Sequence, residues 1–146
     1  MRHDSRGFTL LEVLLAGSVI ALIAGFMLPV SVALKNRTDL DTAATGLTQS
    51  LRRASSLAHS NRDNSRWGVR VESGVIVLFH GSNYQSRDVT YDEITSISPS
   101  ISASGTTEFV FEKLTGDLGA NRTIALTFGA EQRTITINAK GIITTY

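Results

Sequence analysis

The feature that most constrains this chain is an apolar run near its N-terminus, residues 8–28. Three polar residues interrupt it: Thr9, Glu12 and Ser18. A helix of about 20 apolar residues can cross the ~30 Å hydrocarbon core of a bilayer. Residues 1–7 carry two arginines and one aspartate, and positive charge keeps that end of a span in the cytoplasm. The sequence therefore predicts a single membrane span, with the N-terminus inside and the rest of the chain exported.

Two interpretations follow from these residues alone. A secretory signal peptide cleaved after Ala33 is compatible with the small residues Ser31 and Ala33, although the apolar run exceeds the usual h-region of about 7–15 residues. A plain membrane anchor accounts for the length and for the flanking charge. Neither accounts for Glu12. A carboxylate at the centre of a membrane helix costs about 2.5–3.5 kcal/mol of insertion free energy, and this cost is lower near the end of the helix.

Residues 6–16, RGFTLLEVLLA, resemble the processing motif of type IV prepilins and type II secretion pseudopilins. The resemblance implies that a prepilin peptidase cleaves between Gly7 and Phe8, and that the new amino group of Phe8 is methylated. It also makes Glu12 the signature acid of the family. Pro29 falls where these proteins often carry a helix-bending proline. We therefore predict a leader peptide, residues 1–7, and a membrane-spanning or filament-core helix, residues 8–34.

Cleavage would give Glu12 a charge partner. An α-amino group has a pKa of about 7.7–8.0 in model peptides, and methylation keeps it basic. In the apolar core of a filament the Phe8 amine and the Glu12 carboxylate can neutralise each other, whereas either one alone would be buried unpaired at a cost of several kcal/mol. We predict that Glu12 pairs with the Phe8 amine of a neighbouring subunit. Pro29 lacks an N–H and clashes with the Gly25 carbonyl, which predicts a bend or a locally unwound segment; the alternative is a proline that a membrane helix tolerates.

The remaining residues, 35–146, are predicted to form one soluble head. An amphipathic helix continues to about residue 60, because apolar residues recur at steps of three and four. These residues are Leu40, Ala43, Ala44, Leu47, Leu51, Ala54, Leu57 and Ala58. A turn-like segment follows at residues 61–65, and the period then changes to two. RWGVRVE and VIVLFH predict a hairpin, followed by a polar loop over residues 81–93.

Further strands are predicted to complete an antiparallel sheet. Pro99 makes ITSISPSIS an edge or bulged strand, TEFVFEK follows, and a glycine-rich connection leads to three final strands, RTIALTF, QRTITIN and GIITTY. The fold class is α+β, with the long N-terminal helix packed on an antiparallel β-sheet. The head is also similar to GspH/FimT-like minor pilins and pseudopilins in the segments LTQSLRRASSLAHSNRDNSRWGVRVE and RTITINAKG.

The sequence carries no motif typical of an enzyme. It has no cysteine, which excludes disulfides and thiolate metal sites, and no nucleophile elbow, P-loop or dinucleotide fingerprint. Its histidines lack acids at ligand spacing; they are His3, His59 and His80. We expect a protein that is not an enzyme and that holds no cofactor or metal.

One acidic cluster is a candidate calcium site: Asp88, Asp92 and Glu93. In the family that the chain resembles, major pseudopilins bind calcium in a C-terminal loop. The last 29 residues of this chain hold a single acid, Glu131, so we expect that loop site to be absent. A solvated acidic loop is the interpretation that we favour for the cluster.

Five arginines around the predicted helix end and the first strand are candidate DNA contacts, since some FimT-like pilins bind DNA during uptake. They are Arg52, Arg53, Arg62, Arg66 and Arg70. Arginines on one face would give salt-dependent phosphate contacts. The net charge of the chain is only +1 and acids lie nearby, so a solvated helix face is the favoured alternative.

The prediction for the whole chain is a structural subunit, a minor pilin or pseudopilin of a type IV pilus or a type II secretion system. The partners implied by the resemblance are the prepilin peptidase, an inner-membrane assembly platform, other pilins or pseudopilins, and lipid before assembly. The alternative function is a filament-associated binding module for DNA or another ligand. The predicted location is the bacterial inner membrane, with the head outside, and then an extracytoplasmic filament.

Overall fold

The computed structural model describes residues 8–146, and their side chains apart from those of residues 26–33. The predicted leader, with Gly7 and His3, lies outside the described residues. The chain divides into two compact units, Met1–Lys35 and Asn36–Tyr146. Helix α1, Leu10–His59, begins in the first unit and ends in the second.

The start of α1 is fixed by Thr9. The Glu12 N–H donates to the Thr9 carbonyl oxygen at 3.1 Å and to Thr9 Oγ1 at 3.3 Å, so Thr9 is the N-cap and Glu12 the third helical residue. A threonine followed three residues later by glutamate is the spacing of a capping box. A carboxylate in the first turn also lies at the positive end of the helix dipole. Glu12 therefore stabilises the first turn of α1 within a single subunit.

The side chains of residues 8–25 are all exposed within their unit. In the described part of the chain, no helical stretch combines the length and the hydropathy that a bilayer crossing requires. The predicted span, residues 8–34, includes residues 26–33, whose side chains the structure does not describe. The membrane span therefore stays a prediction. Pro29 falls within the bounds of α1, and the bend predicted there also stays a prediction.

In the second unit, α1 buries the stripe that its period predicts. Seven of the eight predicted stripe residues are buried, and Leu57 is half-buried. The helix ends at His59 because the chain then turns through left-handed conformations at Asn61, Asp63 and Asn64, around a 3₁₀ turn at Arg62–Asn64. Asparagine and aspartate tolerate this region best among residues with a side chain.

Eight strands follow: β1 Trp67–Glu72, β2 Val75–His80, β3 Asp88–Ser96, β4 Ser102–Gly105, β5 Glu108–Phe111, β6 Arg122–Phe128, β7 Glu131–Ile137 and β8 Ile143–Thr145. They form two antiparallel sheets rather than one. The first sheet has the order β3-β2-β1-β5 and the second the order β4-β6-β7-β8. The predicted α+β class is confirmed, with the long helix packed on antiparallel sheets.

Two local predictions are wrong. Strand β3 begins at Asp88, inside the segment predicted to be a polar loop, because Val89, Thr90 and Tyr91 favour extended backbone. The strand predicted through Pro99 does not form. Instead, Ile97 N–H donates to Gly74 O at 2.9 Å, and a turn follows in which Ile101 N–H donates to Ser98 O at 3.0 Å.

One apolar core joins α1 to both sheets. Its residues come from the α1 stripe, from the inner face of the first sheet and from the second sheet. Val69, for example, lies opposite Leu78 and Phe109 in neighbouring strands, and all three are buried. In the second sheet, Ile124 lies opposite Ile135, and both are fully buried. The head is therefore a helix backed by two sheets around a single core.

Candidate assembly and binding sites

The N-terminal candidate site combines an exposed apolar helix with one acid. Phe8 is 81% exposed, and the apolar side chains that follow it are exposed as well. Glu12 lies one helical turn beyond Phe8, with its backbone N–H capped by Thr9. Cleavage and the pairing with a neighbouring amine involve residues 1–7 and a second subunit, and both stay predictions. The capping contact was not predicted, although the sequence T-x-x-E signals it.

Three of the five candidate DNA-binding arginines are bound to carboxylates of other elements. Arg53 Nη2 lies 2.6 Å from Glu93 Oε1, and Arg66 Nε lies 2.8 Å from Glu112 Oε2. The hydrogen bond from Arg53 to Glu93, and the attraction between their charges, raise the pKa of the arginine. Arg70 Nη1 lies 3.3 Å from Glu108 Oε2. Their positive charge is therefore locally compensated.

These arginines do not share one face. Arg70 lies opposite Val77 on the outer face of the first sheet, whereas Arg53 reaches Glu93, which lies opposite Leu78 on the inner face. The remaining two are Arg62, whose Nε is 3.8 Å from Asp63, and Arg52, which has no ion-pair partner among the described residues. The basic surface predicted from sequence proximity is thus divided between two sides of the head.

The candidate calcium ligands are also engaged separately. Asp92 receives two hydrogen bonds from Arg87 Nε, at 2.8 and 3.1 Å, and Glu93 binds Arg53. Asp88 accepts hydrogen bonds from the hydroxyl and the backbone N–H of Thr90, and these bonds lower its pKa. Within the described residues, no three histidine or acidic side chains are placed to hold a metal ion.

The two described histidines have local partners. His59 Nδ1 lies 3.2 Å from the Thr115 carbonyl oxygen at the end of α1. His80 stacks on Tyr91, with 4.6 Å between the ring centroids, and meets the edge of Trp67 at 5.1 Å. His59 is thus exposed at the end of α1, whereas His80 is half-buried at the end of β2, where its Nε2 has no hydrogen-bond partner among the described residues.

A cluster on the outer face of the first sheet was missed from the sequence. Phe79 is fully buried there, under the segment between β2 and β3. The Tyr84 ring lies 5.6 Å from the Phe79 ring, and the guanidinium of Arg87 stacks on Tyr84. A Cβ at Gly68 would collide with the Phe79 ring and would lie 2.7 Å from the Phe109 carbonyl oxygen. Glycine at position 68 therefore makes room for Phe79.

An open groove of about 810 Å³ lies between α1 and the C-terminal end of β3. Its helix side includes Thr42, Thr45 and Gly46, and its strand side includes Thr95 and Ser96. The groove continues along α1 toward the ion pair between Arg53 and Glu93. Most of the lining side chains are small, and Gln49 and Ile97 also line the groove.

No protein-family model and no curated protein matches the sequence. Among solved structures, the chain is similar to the minor pseudopilin EpsH from the Type 2 Secretion System of Vibrio cholerae. The TM-score is 0.55 at 11% sequence identity, and the match covers 74% of this chain and 96% of EpsH. A likeness at this identity concerns the fold, and it confirms the fold predicted from the GspH-like sequence features. The chain therefore has the fold of a minor pseudopilin.

Proposed function

We propose that this chain is a minor pseudopilin or minor pilin, a structural subunit of an extracytoplasmic filament. The observation that carries the proposal is the similarity of the fold to that of EpsH, which spans 96% of that protein. The exposed apolar residues 8–25 support it, because an apolar helix surface of this extent needs lipid or other protein around it. A type II secretion pseudopilus is favoured over a pilus, since EpsH belongs to such a system.

Residues 8–34 serve twice in this proposal. They anchor the subunit in the inner membrane before assembly, and they form part of the filament core afterwards. A prepilin peptidase cleaves between Gly7 and Phe8 and frees the amine, which is then methylated. Glu12 pairs with the Phe8 amine of a neighbouring subunit, because both charges leave water when the apolar helices pack. The partners are this peptidase, the assembly platform and other pseudopilins.

Mass spectrometry of the mature N-terminus tests the processing step. A chain that begins with methylated Phe8 is expected. Gly7→Glu should leave the leader in place, because the peptidase needs the small residue before the cut, whereas the control Ser5→Ala should be cleaved normally. A mature chain that begins at Leu34 would instead identify a conventional signal peptide and refute the proposal.

Glu12→Val and Glu12→Gln test the pairing. Both variants should be inserted and cleaved, and both should enter filaments less than the native chain does, because the buried Phe8 amine loses its countercharge. Glu12→Asp keeps a carboxylate and should retain part of the assembly. The measurement is the amount of the subunit in sheared filaments relative to the membrane pool. Native incorporation of Glu12→Val would exclude the pairing role.

A further inference from the structure

Strand β3 is an outer strand of the first sheet, with β2 on one side and an open edge on the other. The hydrogen bond from Ile97 N–H to Gly74 O fixes which residues face that edge. Alternate residues of a strand direct their backbone groups to opposite sides, so Glu93 and Thr95 bond toward β2. Ile94 and Ser96 therefore direct their N–H and C=O groups to the open edge.

The open edge borders the groove between α1 and β3. A strand added beside residues 94–96 would lie over this groove, next to the helix residues Thr42 and Gly46. Gly46 faces Thr95, since a Cβ at that glycine would lie at an ordinary contact distance of 3.6 Å from Thr95 Cγ2. The space beside β3 is open, and most of the side chains that line it are small, apart from those of Gln49 and Ile97, which suits an extended backbone.

Exposed apolar residues concentrate on the same strand. Residues 36–146 expose six large apolar side chains: Val89, Tyr91, Ile94, Leu114, Ile142 and Tyr146. Three of the six lie on β3, and Ile94 is 65% exposed beside the edge. Native proteins usually protect long edge strands with lysine, proline or a covering element. Strand β3 has nine residues, no lysine and no proline, and the irregularity in its pairing with β2 lies between Leu78 and His80, away from residues 94–96.

The charge around the groove and β3 indicates what kind of segment can bind there. Strand β3 carries three acids and no basic residue, and the groove adds Asp39 and Asp41. Arginines compensate three of these five acids, at Asp41, Asp92 and Glu93. Asp39 has no ion-pair partner among the described residues. A second copy of β3 would bring acid against acid, whereas a basic segment would complement the region.

We propose that the open edge of β3 binds an extended segment of a partner protein as an added strand. This segment carries basic residues on the side that faces the groove and apolar residues on the side of Ile94. Its backbone bonds to the free N–H and C=O groups of Ile94 and Ser96, and a basic side chain reaches Asp39. The proposal goes beyond filament assembly and does not depend on it, because the edge belongs to the head alone.

The full chain in detergent micelles can be titrated with fluorescent octapeptides. The probe alternates lysine and valine, and the control peptide alternates glutamate and valine. We expect saturable binding of the basic probe below about 1 mM and none of the acidic peptide. Ile94→Pro removes one edge N–H and the exposed apolar side chain but no bond to β2, and should weaken binding about tenfold.

Thr145→Pro is the matched control. Tyr146 and Thr134 exchange both backbone hydrogen bonds, so the Thr145 N–H also faces outward, on the edge of the second sheet, and binding should be unchanged. Asp39→Lys, a surface change on α1, should weaken the basic probe and tests the site without touching β3. Any one of three results would overturn the proposal. The first is binding of the basic peptide that does not saturate, and the second is native affinity for this peptide in both Ile94→Pro and Asp39→Lys. The third is self-association of the chain that Ile94→Pro abolishes.

Discussion

The guanidinium of Arg87 lies over the ring of Tyr84, with its Cζ 3.8 Å from the ring centroid. The same guanidinium donates to Asp92 at 2.8 Å and to the Tyr84 carbonyl oxygen at 2.9 Å. This is the least exposed ion pair of the head, with 20% and 11% of the two side chains exposed. The pair holds the segment between β2 and β3 against the outer face of the first sheet, where it covers Phe79.

Replacing Arg87 should therefore destabilise the head. We expect Arg87→Ala to cost about 1–3 kcal/mol in the free energy of unfolding, because Asp92 and the Tyr84 face lose their partner together. Arg87→Lys keeps the charge but not the planar stack and should cost less. Arg62→Ala is the control, since the Arg62–Asp63 pair is exposed and should be worth about 0–1 kcal/mol. Chemical denaturation measures all three, and equal losses would contradict the assignment.

Tyr84 should make the stability depend on alkaline pH. Burial and the nearby carboxylate of Glu72 raise the pKa of Tyr84 above its usual 10.0. The folded state thus holds the phenol proton more tightly than the unfolded state. The resulting stability is fully present below about pH 10 and is lost as the pH rises through the raised pKa. Tyr84→Phe should lose less stability over this range, and parallel profiles for the two proteins would refute the effect.

Two glycine substitutions should have opposite effects. Gly68→Ala places a Cβ against the Phe79 ring and the Phe109 carbonyl oxygen, and overpacking of this kind costs about 1–3 kcal/mol. Gly46→Ala lies within α1 and meets only Thr95 Cγ2, at an ordinary distance, so it should stabilise the helix by about 0.5–1 kcal/mol. Thermal unfolding of both variants measures the difference. A neutral Gly68→Ala would show that Phe79 can move aside.

DNA binding by the head should be weak. Arg53, Arg66 and Arg70 are bound to carboxylates, and Arg53 and Arg70 lie on different sides of the head, so few phosphates can be contacted at once. Titration of the full chain with a fluorescent duplex at two salt concentrations should show no steep salt dependence. Tight, strongly salt-dependent binding would contradict this expectation. Arg52→Ala, which removes the cation that lacks an ion-pair partner among the described residues, would then test where the DNA lies.

The elements that could be predicted from the sequence are those that bury one face. The α1 stripe from Leu40 to Ala58 and the β1–β2 hairpin show a clear period because the core demands it. Strand β3 was missed in part because it is exposed on an edge, and its polar residues produce no alternation. The division into two sheets was also missed, since a period of two identifies strands but not their partners.

The candidate processing site can be proposed from the sequence because its chemistry is local, and it stays a prediction. The segment from Gly7 to Glu12 is contiguous, so its motif can be read directly. The Tyr84–Arg87–Asp92 cluster depends on how a loop folds over a sheet, and the β3 edge depends on strand order. Neither the path of the loop nor the strand order can be predicted from the spacing of residues. The five candidate arginines show the converse case, because Arg53 and Arg70 lie on different sides of the head although they are close in the sequence; their contact with DNA stays a prediction.

No strand of one sheet pairs with a strand of the other, and both sheets pack against α1. Its Arg53 binds the first sheet at Glu93, and its Asp41 binds the second at Arg133. Losing the helix would remove the apolar cover of both sheets together. The head should therefore unfold as one cooperative unit, and damage to either sheet should loosen the other through the helix.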